Sequence, residues 1–223
     1  MNLLFVTVGI SGIREWQIDD PAHAAFRELL KSLRPTTTTD FEKARSGLIE
    51  WHRSRWAKYD LDNDYLVRHT SAELLTTAKI LRRFKSSRPP IEIARIVLLA
   101  SETPAGQFAA EVTREVMGCA EYRPVTPVPP VTIEPIPAPT SEGVMETLSD
   151  RILEAVNRHR GPETGSIFFN ITAGFGAVST LIGMQSIHYG YRLCYQHESM
   201  KQPVYIAQNL RAYTYPPWDI NPQ

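Results

Sequence analysis

Hydrophobic positions along the chain fall into two patterns that take turns. Short apolar blocks occupy residues 3–8 (LLFVTV), 94–100 (ARIVLLA) and 166–171 (SIFFNI), and each is followed at once by small or polar residues. Blocks this short and this continuous predict strands buried on both faces of a parallel sheet. Between them apolar residues recur every three or four positions, which predicts helices. Residues 21–33 carry Ala24, Ala25, Leu29, Leu30 and Leu33, with Pro35 just beyond. A helix opening at Ser71 carries Leu74, Leu75, Ala78 and Leu81 and ends on Arg82, Arg83 and Lys85, cations that complement the helix dipole. Ser101-Glu102-Thr103-Pro104 leads into a third helix, and residues 141–159 set Val144, Leu148, Ile152, Leu153 and Val156 on one face. Residues 177–189 continue the series, and residues 191–195 and 203–207 predict two final strands, a hairpin around 197–202. The repeated order of strand, polar turn and helix predicts an α/β fold: a mostly parallel sheet flanked by helices, with a terminal β-hairpin.

Two stretches break the pattern. Residues 36–65 open with four threonines in a row, continue with Trp51 and Trp56 among basic residues, and end in DLDND, which predicts an inserted helical excursion. Trp51 and Trp56, beside Arg53, Arg55 and Lys58, suit either stacking on bases or anchoring that helix on the core or on another subunit. Residues 123–139 hold seven of the 17 prolines, and because proline donates no backbone hydrogen bond an edge or crossing segment is expected there. The domain is expected to span residues 1–210, leaving 211–223 as a tail.

The 24 basic and 24 acidic side chains leave no net charge. A chain that grips long DNA or RNA by neutralising phosphates displays a basic excess, so long nucleic acid is not expected as a partner. Cys119 and Cys194 are too few and too distant for a disulfide framework, and the six histidines show no metal-binding spacing; His188 and His197 flank a strand and read as packed or surface residues. The apolar start lacks the basic flank of a signal peptide and no run approaches a membrane span, so a cytoplasmic protein is expected.

Ligands of open α/β sheets sit outside the carboxyl ends of the strands. Three predicted turns occupy that edge: Gly9-Ile10-Ser11-Gly12; Ser101-Glu102-Thr103; and Asn170-Ile171-Thr172-Ala173-Gly174-Phe175-Gly176. Small residues between a strand and a helix let backbone N–H groups approach an anion, with the helix N-terminus adding partial positive charge. The same composition also makes an ordinary tight turn capped by Thr172, and spacing alone leaves both open. Ser11 fits a phosphate contact, a nucleophile or a turn residue; a nucleophile elbow would want glycine where Ile13 stands. No Gly-Lys-Ser/Thr loop occurs, which argues against a P-loop nucleotidase. Gly174, Gly176 and the later Glu198 partly imitate a dinucleotide fingerprint, lacking its third glycine.

Three motifs in this order resemble the CRISPR-associated Rossmann-fold (CARF) family, in particular its compact members of ring-nuclease type. They are Val6-Thr7-Val8-Gly9-Ile10-Ser11, like the family's opening strand and Gly-Thr-Ser turn; Ser71-Ala72-Glu73-Leu74, like its Ser-Ala-Glu helix start; and Asn170 to Gly176, like its Asn-x-Thr-Gly-Gly-x-Lys loop. The resemblance implies a Rossmann-like sheet and a homodimer binding a cyclic oligoadenylate, most often cyclic tetra-adenylate, across its two-fold axis. Ser71 joins the three turns as an implied ligand residue. It further implies cleavage with no metal and no cofactor, the ribose 2′-hydroxyl attacking the adjacent phosphate, with Ser11 as the functional serine. Two residues depart from the pattern: Ala173 replaces the first loop glycine, and Gly176 stands where ring nucleases of this type carry lysine. Arg14 and Arg192 are the candidate replacement cations. Little chain follows the last predicted strand for an output domain, so either turnover of the messenger or signalling through a separate effector protein is expected. For the second role, the aromatic and basic residues of 36–65 are the expected docking surface.

Overall fold

The computed structural model describes residues 1–10, 38–63, 66, 70–139, 142–174, 176–197, 200–206 and 212–213. The helix expected at 21–33, together with Ser11, Gly12, Arg14, Phe175 and Glu198, lies outside the described residues.

Strands β1 (Asn2–Thr7), β2 (Ile93–Ser101), β3 (Val131–Ile136), β4 (Ile167–Asn170), β5 (Arg192–Tyr195), β6 (Val204–Ile206) and β7 (Ala212–Tyr213) form one sheet in the order β3-β2-β1-β4-β5-β6-β7. The first five are parallel and the last two antiparallel. An order of 3-2-1-4-5 is that of the doubly wound Rossmann sheet. The strand Ala212–Tyr213 pairs with β6, so the sheet continues past residue 210 into the expected tail. β3 lies at an edge, where Pro135 opposite Ala100 leaves no inner ladder bond unmade.

Period-two alternation along the strands divides the core in two. Leu4, Val6, Ile96, Leu98 and Phe168 face helices α1 (Thr38–Lys58), α2 (Ala72–Lys85) and α3 (Pro104–Gly118). Leu3, Phe5, Val97, Leu99, Ile167 and Phe169 face α4 (Glu142–His159) and α5 (Gly176–Tyr189). Helices thus cover both faces, which is why the strands are apolar without alternation in the sequence.

Trp51 and Trp56 of α1 are buried in the first cluster, Trp56 standing edge-on to Tyr122 at 4.7 Å. Arg45 binds Glu111 at 2.9 Å and also Glu115, and Arg53 binds Glu121 at 2.7 Å, tying α1 along α3 and the turn after it. The two tryptophans thus anchor α1 on the core, one of the readings their spacing allowed, and are not free to stack on bases or dock an effector.

α2 runs antiparallel to β4. Its Thr77 accepts a hydrogen bond from Asn170 at the strand's carboxyl end, and its Phe84, further along the helix, packs on Phe168 at 4.7 Å. The amino end of α2 therefore points past the carboxyl edge of the sheet. There, in the first turn, Glu73 is fully buried and neither carboxyl oxygen has a hydrogen-bond partner. Burial pushes its pKa from 4.5 up to about 7, with only a small opposing pull from its own nearby backbone N–H, which is not aligned to bond it. Within that window the folded chain holds a proton that the unfolded chain has lost, so stability falls as pH rises from 4.5 to about 7 and levels off above. Glu73→Gln has no charge to bury. Urea unfolding at about pH 4.5 and about pH 8 is expected to show the difference between variant and wild type moving by about 3 kcal/mol in the variant's favour; equal pH slopes would contradict the assignment.

Candidate functional site

The sheet order places a topological switch point between β1 and β4. From β1 the chain builds β2 and β3 on one side, then returns through α4 to lay β4 on the other. The carboxyl ends of four adjacent strands, β2, β1, β4 and β5, line this edge. All three predicted turns come together here, as far as they are described: Gly9 and Ile10 follow β1, Ser101 to Thr103 end β2, and Asn170 to Gly174 follow β4.

The β1 and β4 loops meet backbone to backbone. Gly174 has φ +93°, a left-handed conformation that side-chain-bearing residues rarely adopt, and a Cβ there would stand 3.2 Å from the Cβ of Thr7. A Cβ on Gly9 would stand 3.0 Å from the backbone nitrogen of Gly174. Thr7, buried at the end of β1, shares its one hydroxyl proton between the carbonyls of Asn170, at 3.2 Å, and Ala173. This clasp was not legible in a threonine placed inside an apolar strand block.

Asn170 has no exposed surface. Its amide nitrogen donates to Thr77 Oγ1 at 3.1 Å and its Oδ1 accepts the Thr172 N–H at 3.2 Å, an Asx turn that starts the loop. Thr172 Oγ1 accepts the Gln196 N–H at 3.0 Å, and Thr76 Oγ1 bonds Gln196 Oε1 at 3.3 Å. Asn170 and Thr172 thus shape the loop from below. Gln196, the first residue after β5, was missed in the sequence because nothing but its place in the fold marks it.

The other predicted residues divide between caps and surface. Ser71 is the buried N-cap of α2, its Oγ accepting the Leu74 N–H at 3.2 Å. Thr103 caps α3, accepting the Gly106 N–H at 3.1 Å, and its hydroxyl lies 2.8 Å from that of Ser101. Glu102 and Ile10 are exposed at the edge, Gly174 and Gly176 also, and Ala173 is half-buried. A Cβ on Gly176 would meet nothing within 4 Å, so the position where a lysine was expected opens into free space. Arg192 stands at the opposite end of β5, level with Phe168 and lying over its ring at 5.5 Å. It is not at this edge, which removes it as a replacement cation.

Among the described residues the first two positions after each of the four strands carry Glu102 and His197 but no lysine or arginine; Lys201, exposed, lies further along the loop after β5. Positive potential comes instead from backbone: α2, α3 and α5 all begin at this edge, each with about half a positive charge at its N-terminus. Such an edge suits an anion held by N–H groups and dipoles. Among the described residues no helix is long and apolar enough to cross a membrane.

A family model described as CRISPR-associated protein (Cas_APE2256) matches residues 68–208. No individually curated protein matches the sequence. Among solved structures the chain is similar to Enterococcus italicus Csm6 bound to cyclic hexa-2'-fluoro-hexa-dAMP, with 15% identity and a TM-score of 0.45. That match covers 88% of this chain and 33% of the other, so this chain spans about a third of that protein's length. With the family model matching more than half of its residues and a Rossmann-like sheet beneath them, the chain belongs to the CRISPR-associated protein (Cas_APE2256) family.

Proposed function

We propose that this protein binds a cyclic oligoadenylate, with cyclic tetra-adenylate the first candidate, across the two-fold axis of a cytoplasmic homodimer, and cleaves it without a metal. The observation that carries the reading is the joined pair of loops at the switch point, Gly9 against Gly174, beneath three helix N-termini. A ring of phosphodiesters needs several weak, distributed anion contacts, which backbone N–H groups from two subunits supply without a basic protein. The family's association with CRISPR and the motif resemblance select the nucleotide class; Gly174 and Gly176 follow β4 and not β1, which weighs against a dinucleotide enzyme.

Dimerisation is supported by the outer face of α5. Gly176, Thr180, Met184 and Ile187 lie on one side of the helix and all are exposed, Met184 64% and Ile187 57%. Two such faces packed about a two-fold axis would bring the loops that start both α5 helices side by side, and the small Gly176, Thr180 and Gly183 allow close approach.

In the reaction the 2′-oxygen of a ribose bonds to the adjacent phosphorus and the bond to the 5′-oxygen breaks. The hydroxyl proton leaves to solvent while the departing oxygen gains one, giving linear products with 2′,3′-cyclic phosphate and 5′-hydroxyl ends. The chain's part is to hold the in-line geometry and to stabilise charge on the phosphate. Ser11 is the residue assigned to the reacting phosphate. A second reading, a noncatalytic sensor acting through a separate effector protein, is favoured by the open space at Gly176 and by strand ends without a described lysine or arginine.

Incubating the purified protein with cyclic tetra-adenylate in EDTA separates the two: linear products support the ring nuclease, and bound, intact ring supports the sensor. For the nuclease, Ser11→Ala is expected to slow cleavage about 10²-fold with little change in affinity, and Gly176→Lys to speed it by about tenfold or more. In sedimentation, wild type is expected as a dimer and Met184→Glu/Ile187→Glu as a monomer with weakened ring binding; a variant that stays dimeric would place the interface elsewhere.

A further inference from the structure

One buried polar group at this edge is unused by the reading above. Glu73 lies four residues before Thr77 on α2, so it stands on the same helix face, one turn or about 6 Å further out than the Thr77–Asn170 hydrogen bond. That places it at the level of the loops that follow β1 and β4. It is fully buried and both carboxyl oxygens lack a partner. An isolated carboxylate is costly to bury, and the first turn of a helix offers only partial compensation through the dipole.

We propose that Glu73 is the proton acceptor of this site: an anion seated on the β1 and β4 loops binds together with a proton, which the Glu73 carboxyl takes up. The inference deepens the proposed ligand reading and rests on it. A phosphate brought close to the edge repels a carboxylate beneath it and tolerates a carboxylic acid, so binding and protonation favour each other, and by reciprocity a rise in pH weakens binding.

The elements packed against α2 bring few competing groups among the described residues. β1 and β4 carry no titratable side chain. Lys79, on α2 itself, donates to the Lys201 carbonyl at 2.5 Å, and Tyr122 donates to the Leu74 carbonyl at 3.1 Å. α1, in the same core cluster, carries His52 and Arg55; the acids of α3 that are paired, Glu111 and Glu115, hold Arg45; and the segment after β5 brings His197 and Lys201. Burial is the first cause of the raised Glu73 pKa, about 7, and none of these charged groups is among its causes, so the carboxyl titrates in a range where binding is readily measured.

The test is calorimetric titration of the full chain with cyclic tetra-adenylate from about pH 6 to about pH 8.5, in two buffers of different protonation enthalpy. Over this range the phosphodiesters of the ring stay ionised and its adenines neutral, so a pH dependence belongs to the protein. Wild type is expected to take up protons on binding, up to one per chain, and to lose about tenfold in affinity per pH unit above about pH 7 for each carboxyl engaged. Glu73→Gln is expected to bind with pH-independent affinity and more tightly than wild type at the alkaline end. Wild-type binding without proton uptake would overturn the inference and leave the ligand reading standing. A slope that survives in Glu73→Gln would assign the proton to another group, such as His197, and overturn it as well. If the variant fails to fold, the wild-type proton count decides. Absence of binding at every pH would overturn the ligand reading, and this inference with it.

Discussion

The site depends on one close approach, the meeting of two backbone loops whose glycines are 165 residues apart in the sequence. Gly9 and Gly174 can touch only if β1 and β4 are neighbours, and β4 reaches that place only because α4 carries the chain back across the sheet. The contact leaves no room for side chains, so backbone N–H groups are what this part of the edge has to offer. The Thr7 hydroxyl, shared between the carbonyl that ends β4 and that of Ala173 in the opposite loop, locks the pair together, and Asn170 and Thr172 fix the loop from the α2 and β5 sides. A net hydrogen bond contributes only about 1 kcal/mol. The network matters less for overall stability than for holding a loop with a left-handed residue in one shape.

Among the described residues the positive potential of the edge comes from dipoles. The chain has no net charge, its described strand ends hold no lysine or arginine, and the visible acid, Glu102, is exposed where water screens it. Three helix N-termini supply the positive potential, and Glu73 below them is an ionisable group whose charge state burial leaves close to balance near neutral pH. With little fixed positive charge among its described residues, such an edge recognises a ligand by geometry more than by attraction at a distance.

Most of the fold was legible because strand burial and helix amphipathicity leave their periods in the sequence. The blocks at 3–8, 94–100 and 166–171 correspond to β1, β2 and β4, and the Ser71 and Thr103 caps begin α2 and α3 as their spacing implied. The proline-rich stretch contributes an edge strand, as the loss of backbone donors requires. What local pattern did not encode was tertiary. Trp51 and Trp56 suited stacking on bases as well as anchoring α1, and only the fold decides: both are buried, while Arg45 and Arg53 are drawn onto Glu111 and Glu115 of α3 and Glu121 in the turn after it. Arg192 looked like a cation for the loop, yet its register opposite Phe168 holds it at the wrong end of β5. The two-residue strand β7 is too short to leave a period at all. Within the candidate site, the loops were visible by their glycines, whereas Thr7, Glu73 and Gln196 acquire their roles only from what the fold sets beside them.

The central claim is that the joined loops of two subunits hold one cyclic ligand. Calorimetric stoichiometry with cyclic tetra-adenylate tests it most directly, with Gly174→Val as the control that forces a Cβ against Thr7. The account predicts one ring per two chains in wild type and loss of binding by at least about tenfold in the variant. One ring per chain, or a Gly174→Val protein that folds and binds as wild type does, would contradict it.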